Sequence, residues 1–373
     1  MKYKVIVFLC LSVLSLLVVP AVNFSRGNMP LSSIDKWIVD RSVMYNTDFA
    51  LPILSKALYP LGISISPGSV VVGKKGWMFL GDSEQNAISV HRDIGTDTAE
   101  KSAQIAISAT AWNEWLKGAG VKKYVVMLSA DKSSIYPEEL PAWARADGQS
   151  RTDVLINSTD PAIYLDTRKI LLAEKANSTS PLYYKTDTHW NTYGGWTAFQ
   201  AMAKMVSSSE NPPVFPGSGI GVVRSVDSRI GGDLSRFLRI QQDVVDQEVR
   251  LAFDDAAQID TTLFNYDTGE LIRSGGNTEV PSILQPTIVH SDSALNQKRV
   301  LWLRDSFGAA MAPFMAATFS DVLQVHYNRL DAASFMKVVD DFKPDYVIVT
   351  VVERSAFAPI FMTMPADRAV AIK

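Results

Sequence analysis

Asp187 and His189 stand two residues apart in the stretch Lys185-Thr186-Asp187-Thr188-His189-Trp190-Asn191-Thr192. In an extended segment, positions i and i+2 project from the same side. The carboxylate can then hold one ring nitrogen of the imidazole and leave the other free as a base. Such a base needs a nucleophile, and the candidate is Ser306, far downstream in Arg304-Asp305-Ser306-Phe307-Gly308. This segment follows the apolar run Arg299-Val300-Leu301-Trp302-Leu303 and precedes the helix-like stretch Ala309 to Thr318. A serine at a strand-to-helix turn lies where unsatisfied helix N–H groups can meet a developing oxyanion. Asp187, His189 and Ser306 are therefore read as a hydrolase-type triad.

Each signal has an ordinary alternative. Asp187 and Ser306 are both good helix caps, and Asp-x-His pairs arise often by chance. Their conjunction carries the reading, because the single cysteine, Cys10, lies in the N-terminal apolar run and no thiol competes as nucleophile. Metal chemistry is the rival, with Asp187 and His189 as two ligands and His91 or His290 as a third. Nothing else stands at metal-ligand spacing, so neither a metal nor an organic cofactor is expected. His326 lies in an apolar run and is expected in the core or at the edge of the site. Trp190, Arg304 and Lys132 are candidate substrate contacts. An indole beside the base can stack on a sugar ring, although tryptophans at such spacing equally serve a core, which is the reading preferred for Trp196 and Trp302. Lys132 belongs to the polar loop Asp131–Pro137, which faces the site if it lies beyond a strand C-terminus and is otherwise a solvated connector.

The elements that position these residues follow from periodicity. Thr98 to Gly118 is predicted as an amphipathic helix ended by Gly118-Ala119-Gly120. Lys123 to Ser129 is predicted as a buried strand, Ala162 to Asp166 as a short strand, and Thr167 to Lys175 and Tyr193 to Val206 as helices. The last third runs strand (Val300–Leu303), turn and helix (Ser306–Thr318), strand (Val322–Tyr327), helix (Asp331–Phe342) and strand (Tyr346–Val352). Near-continuous apolar strands alternating with helices argue for an α/β fold whose mostly parallel sheet is covered on both faces. Nearer the N-terminus, Leu31 to Ala57 has helical spacing (Ile34, Trp37, Ile38, Val43, Met44) interrupted at Pro52. Gly73 to Leu80 is predicted as a tight turn feeding a strand, with a structural role. Residues 207–297 are rich in Pro, Gly, Ser and Asp and are read as an irregular, partly β insertion bordering the site. Within it, Arg229-Ile230-Gly231-Gly232-Asp233-Leu234 is a weak candidate for a loop near the pocket.

A chain of 373 residues with 47% hydrophobic content buries a large core. A net charge of −3 supplies no basic field for nucleic acid. Met1-Lys2-Tyr3-Lys4 precedes an apolar segment from Val5 to Val22, which fits a secretory signal or, as favoured here, a retained anchor in the inner membrane. The organisation expected is thus a leader or anchor at 1–22 and one exported domain at 23–373, with no disulfide to hold it.

Several blocks occur in a set order: the apolar start, Gly73-Lys74-Lys75-Gly76-Trp77-Met78-Phe79-Leu80, Asp131-Lys132-Ser133-Ser134-Ile135-Tyr136-Pro137, Asp187-Thr188-His189-Trp190-Asn191 and Arg304-Asp305-Ser306-Phe307. The combination resembles the alginate O-acetyltransferase family, SGNH-hydrolase-like proteins of bacterial exopolysaccharide acetylation. The resemblance implies a three-layer α/β/α sandwich with acid and base ahead of the nucleophile, a circular permutation of the usual SGNH order. It implies Asp187 as acid, His189 as base and Ser306 as nucleophile. It further implies a periplasmic location, a polysaccharide acceptor, and acetyl groups supplied through an integral-membrane acyltransferase. Arg304 stands where SGNH relatives often have glycine. An acetylesterase, or a polysaccharide-binding or assembly factor without catalysis, are the alternative functions.

Overall fold

The computed structural model describes residues 2–26, 44–207, 213–256, 259–276 and 278–365. The strands are β1 (Val70–Val72), β2 (Met78–Leu80), β3 (Lys123–Ser129), β4 (Tyr164–Asp166), β5 (Val223–Ile230), β6 (Val245–Leu251), β7 (Thr261–Asn265), β8 (Leu271–Ser274), β9 (Thr287–Ser291), β10 (Asn296–Arg304), β11 (Phe319–Val325) and β12 (Tyr346–Val352). The helices used below are α1 (Lys2–Ser25), α2 (Thr98–Gly118), α3 (Thr167–Asn177), α4 (Thr192–Val206), α5 (Asp233–Phe237), α6 (Ala312–Thr318) and α7 (Ala332–Phe342).

Eight strands form the main sheet in the order β4-β3-β12-β10-β11-β9-β7-β8. The first five are parallel, and β9, β7 and β8 add an antiparallel edge. Side chains alternate between the two faces of a strand, and here that alternation sorts two cores. Val125 and Met127 of β3, Val300 and Trp302 of β10 and Ile348 of β12 pack with Leu171 of α3, Phe199 and Met202 of α4 and Phe314 of α6. Their neighbours Val126, Leu128, Leu301, Leu303, Val347 and Val349 pack with Ile105, Trp112 and Leu116 of α2 and Phe335, Val339 and Phe342 of α7. With both faces covered, the parallel strands are predominantly apolar along their central residues, and the result is the three-layer α/β/α fold expected from the sequence.

The stretch 207–297 is more regular than its composition suggests. β7, β8 and β9 extend the main sheet, and β5 and β6 form a separate antiparallel hairpin. β9 alternates buried and partly exposed residues over only five positions, too few to stand out among turn residues. The helical pattern read over Leu31–Ala57 lies partly outside the described residues, including Ile34, Trp37, Ile38 and Val43. Its described end is a helix at Leu51–Leu58, in whose first turn Pro52 sits. Pro52 therefore starts a helix where the sequence suggested an interruption, because the first turn needs no N–H from it. The segment Val5–Ser25 of α1 is long and apolar enough to cross a membrane by length and composition.

Candidate active site

Ser306 is presented by the end of β10. Asp305 caps the turn that follows: its Oδ1 accepts the Phe307 N–H at 2.9 Å and its Oδ2 accepts the Val352 N–H at 2.7 Å. One buried carboxylate thus ties the C-terminal ends of β10 and β12 together. Burial pushes the Asp305 carboxyl up from its ordinary value, against the pull of these two N–H donors. Asp305 and Phe307 are buried and Ser306, between them, is exposed. The Phe307 N–H is committed to Asp305, and the Gly308 N–H donates to the Asp305 carbonyl at 3.2 Å. The Ser306 N–H is thereby the backbone donor nearest the hydroxyl that is not engaged by Asp305.

Asp187 and His189 arrive on a tight loop. Tyr183 and Trp190 form an antiparallel bridge, and the Asn191 N–H donates to the Leu182 carbonyl at 3.0 Å. Asn191 then caps α4 by accepting the Tyr193 and Gly194 N–H groups. On this loop Asp187 Oδ1 accepts the His189 backbone N–H at 3.1 Å and lies 2.8 Å from His189 Nδ1. The other ring nitrogen, Nε2, lies 2.8 Å from Ser306 Oγ. The structure thus brings the three residues read from the sequence into one hydrogen-bonded chain at the C-terminal end of the parallel sheet, where open α/β folds gather their ligands. Burial by itself would raise the Asp187 carboxyl. The hydrogen bond and charge of His189, with backbone N–H groups from His189 and Asp233, outweigh it and hold the carboxyl well below the usual carboxylate range.

The loop is braced from four sides. Lys132 Nζ donates to the carbonyls of Tyr184 (3.0 Å), Lys185 (3.1 Å) and Asp187 (2.6 Å) and lies over the rings of Trp77 and Phe79. Burial pulls its ammonium down to about 8, with Asp187, Asp246 and Asp233 acting the other way. The hairpin β1–β2 contributes the Met78 N–H, which donates to the Lys185 carbonyl at 2.8 Å. Asp246, on β6, accepts the Lys185 N–H (3.0 Å), the Thr186 N–H (2.7 Å) and the Thr186 hydroxyl (2.6 Å). Lastly, Gly232 packs directly on Asp187, so that a Cβ there would come within 2.3 Å of Asp187 Cβ. Beside the loop, Asp131 and Arg354 form an ion pair, and Glu353 accepts the Asp131 N–H (3.0 Å) and the Ser134 hydroxyl (2.6 Å), which joins the ends of β3 and β12.

Three expectations from the sequence need correction. Trp190, Arg304 and Lys132 are 1%, 3% and 4% exposed and have no face for a substrate. Trp190 Nε1 donates to the Phe307 carbonyl at 2.9 Å and its ring packs edge-on against Phe307. Arg304 donates to Gln324 (2.7 Å) and to the Asp305 carbonyl (3.0 Å). All three hold the backbone that carries Asp187, His189 and Ser306. The Asp131–Pro137 segment is likewise more than a connector, since it holds a short helix, Lys132–Ile135, whose Lys132 side chain reaches the loop.

The other histidines lie apart from this centre. His290 sits between Asp321 (2.9 Å) and Asp292 (3.1 Å), His91 lines a small polar cavity with Asp131, Ser134 and Arg354, and His326 caps the turn after β11. The metal alternative with His91 or His290 therefore has no third ligand from either. Asp187, His189 and Asp233 do place ligand atoms within 4.8 Å of one another. Two of their carboxylate oxygens already accept backbone N–H groups, Asp187 Oδ2 from Asp233 and Asp233 Oδ1 from Thr188, and Asp187 Oδ1 holds His189 Nδ1. The Gly231-Gly232-Asp233 turn borders the site as the sequence suggested, although neither Asp233 nor Asp246 was singled out there as a supporting acid. Only the weak Gly-Gly-Asp turn pointed to Asp233, and nothing in the short β6 marked Asp246.

Residues 70–276 match the model of the family described as the SGNH hydrolase-like domain of the acetyltransferase AlgX. The chain belongs to this family. The matched span includes Asp187 and His189 and ends before Ser306. Among solved structures, PatB1 of Bacillus cereus is similar at 13% identity with a TM-score of 0.57, over 79% of this chain and 99% of that one. A DHHW family protein of Eubacterium siraeum is similar at 17% identity with a TM-score of 0.55, over 82% of this chain and 98% of that one. The O-acetyltransferase domain of Pseudomonas putida AlgJ aligns at 18% identity with a TM-score of 0.45, over 80% of this chain and 94% of that one. For the first two, at these identities, the likeness is one of fold. No curated protein matches the chain.

Proposed function

We propose that this protein is an O-acetyltransferase that moves an acetyl group through Ser306 onto hydroxyls of an exported bacterial polysaccharide. The observation that carries the reading is the continuous chain Asp187 Oδ1–His189 Nδ1 and His189 Nε2–Ser306 Oγ, each link 2.8 Å. Membership in an acetyltransferase family narrows the acyl group. His189, held in one tautomer by Asp187, takes the Ser306 proton as Oγ attacks the acetyl carbonyl of the donor. The oxyanion forms beside the Ser306 N–H. Collapse expels the donor's leaving group, which takes the proton from His189. A sugar hydroxyl then attacks the acetyl-serine, gives its proton to His189, and leaves as the acetate ester while Ser306 regains its proton. Val5–Ser25 anchors the domain to the inner membrane from the periplasmic side, where a membrane acyltransferase supplies the acetyl group.

The test uses the full-length protein in detergent with a chromogenic acetyl ester and mixed sugar oligomers, followed by mass spectrometry. Acetylated oligomers that disappear in Ser306→Ala are expected, with a loss of roughly 10⁴-fold or more in rate. Ester hydrolysis without transfer to any oligomer would replace the transferase reading with an esterase. Turnover by Ser306→Ala close to that of the parent would refute both.

A further inference from the structure

Two loops meet behind the imidazole and hold each other reciprocally. Asp233 Oδ1 accepts the Thr188 N–H at 2.7 Å, and the Asp233 N–H donates to Asp187 Oδ2 at 3.2 Å. The Gly232 N–H donates to the Thr186 hydroxyl at 2.8 Å, and the Ser235 N–H to the Thr186 carbonyl at 3.2 Å. The remaining oxygen of Asp233, Oδ2, lies 3.8 Å from His189 Nδ1, the nitrogen that Asp187 already holds at 2.8 Å. That distance is too long for a hydrogen bond and short enough for a charge to matter.

We propose that Asp233 is a positioning residue for His189: it fixes the Asp187–His189 turn through the Thr188 N–H and presents a second negative charge to Nδ1. This inference rests on the acyl-transfer reading. When Ser306 gives its proton to Nε2, the imidazole becomes a cation, and the charge that develops is faced by two carboxylates instead of one. Beside Asp187, Asp233 is the carboxylate that lies against Nδ1 itself. Asp187 holds Nδ1 directly; Asp305, on the β10 side, also acts on His189 through its charge, while its oxygens accept the Phe307 and Val352 N–H groups. The Phe307 ring, 5.0 Å from the imidazole, is neutral, and Arg354 lies over that ring at 5.7 Å. Lys132 acts on the far side of the loop through the Asp187 carbonyl. Side-chain exposures of 28% for His189 and 35% for Asp233 mean that water screens the pair, so the effect is modest and lies in the rate and its pH dependence.

Asp233→Asn separates the two roles, because the amide oxygen still accepts the Thr188 N–H while the charge is gone. The expected result is a drop in kcat of about 3- to 10-fold with KM little changed, and an acidic limb of the kcat/KM profile moved by about half to one unit toward lower pH. Asp233→Ala, which also strands the Thr188 N–H, should lose about tenfold more. Thermal melts of both variants show whether the fold persists. NMR titration of the His189 ring in the parent and in Asp233→Asn reads the same effect without turnover, and the variant's curve is expected at lower pH. Identical curves and identical rates in Asp233→Asn would overturn the inference. Loss of activity on chelation with restoration by zinc would assign the three groups to a cation and overturn it as well. Ser306→Ala, assayed in parallel, reports on the acyl-transfer reading alone, so the two failures are distinguishable.

Discussion

Gly232→Ala is the sharpest test of how the acid is placed. Gly232 has φ −85°, a conformation any residue adopts, so the substitution carries no backbone strain of its own. An added Cβ would nevertheless lie 2.3 Å from Asp187 Cβ, 2.5 Å from its Oδ2 and 2.8 Å from its Cα. Carbon atoms rest about 3.5–4.0 Å apart, so the two loops must separate by more than about 1 Å. Two of the atoms met, Asp187 Cα and Cβ, are backbone and side-chain root and cannot rotate out of the way. The hydrogen bonds from Gly232 to Thr186 and from Asp233 to Asp187 lengthen with the shift. Displacements of this size cost roughly 10²-fold in catalysis, and overpacking costs about 1–3 kcal/mol in stability. Gly231→Ala is the matched control. Its Cβ would meet Ser235 Oγ at 2.3 Å, Val244 Cγ2 at 2.6 Å and Ser235 Cβ at 3.0 Å, side-chain atoms of the supporting loop and none of Asp187 itself. The assay is kcat/KM for a chromogenic acetyl ester, with thermal denaturation of each variant. A Gly232→Ala enzyme that keeps the parent rate, or one that loses no more rate than Gly231→Ala, would refute the argument that this close approach sets the Asp187–His189 geometry.

Asp246→Ala should destabilise the protein by about 3–5 kcal/mol, because it strands the Lys185 and Thr186 N–H groups and the Thr186 hydroxyl in a buried setting; chemical denaturation measures it, and a change below about 1 kcal/mol would contradict the network. Acid stability should report on Asp187. Its carboxyl is held below the ordinary value, so the folded state binds fewer protons than the unfolded one, and the stabilisation is fully present above about pH 4 and lost as pH falls through the lowered value. Asp187→Asn should therefore be less stable than the parent at pH 7, by roughly 1–3 kcal/mol, and the two stability curves should converge on acidification; parallel curves would show that the His189 pair contributes nothing to folding.

Local sequence rules located much of this protein. The bounds of α2, β3 and β12 follow from apolar periodicity and from Gly118-Ala119-Gly120, because each buries one or both faces over many residues. The Asp-x-His spacing and the serine at the end of an apolar strand were legible for the same reason, since both depend on neighbours in the chain. Short edge strands such as β9 were not legible. Their β character is confirmed only by pairing with β7 and β11, and pairing partners are set by the sheet as a whole.

The placement of Ser306 against His189 was decided by tertiary structure, because it depends on the strand order that brings β3, β12 and β10 side by side. The same holds for Lys132, whose long side chain read as a substrate contact until three backbone carbonyls and two aromatic rings were folded around it. Asp233 and Asp246 come from the stretch that looked least regular, and hydrogen bonds to residues some 45–61 positions away give them their roles. A sequence specifies which residues can donate, accept or carry charge. Which donor meets which acceptor across such separations depends on the packing of the whole domain.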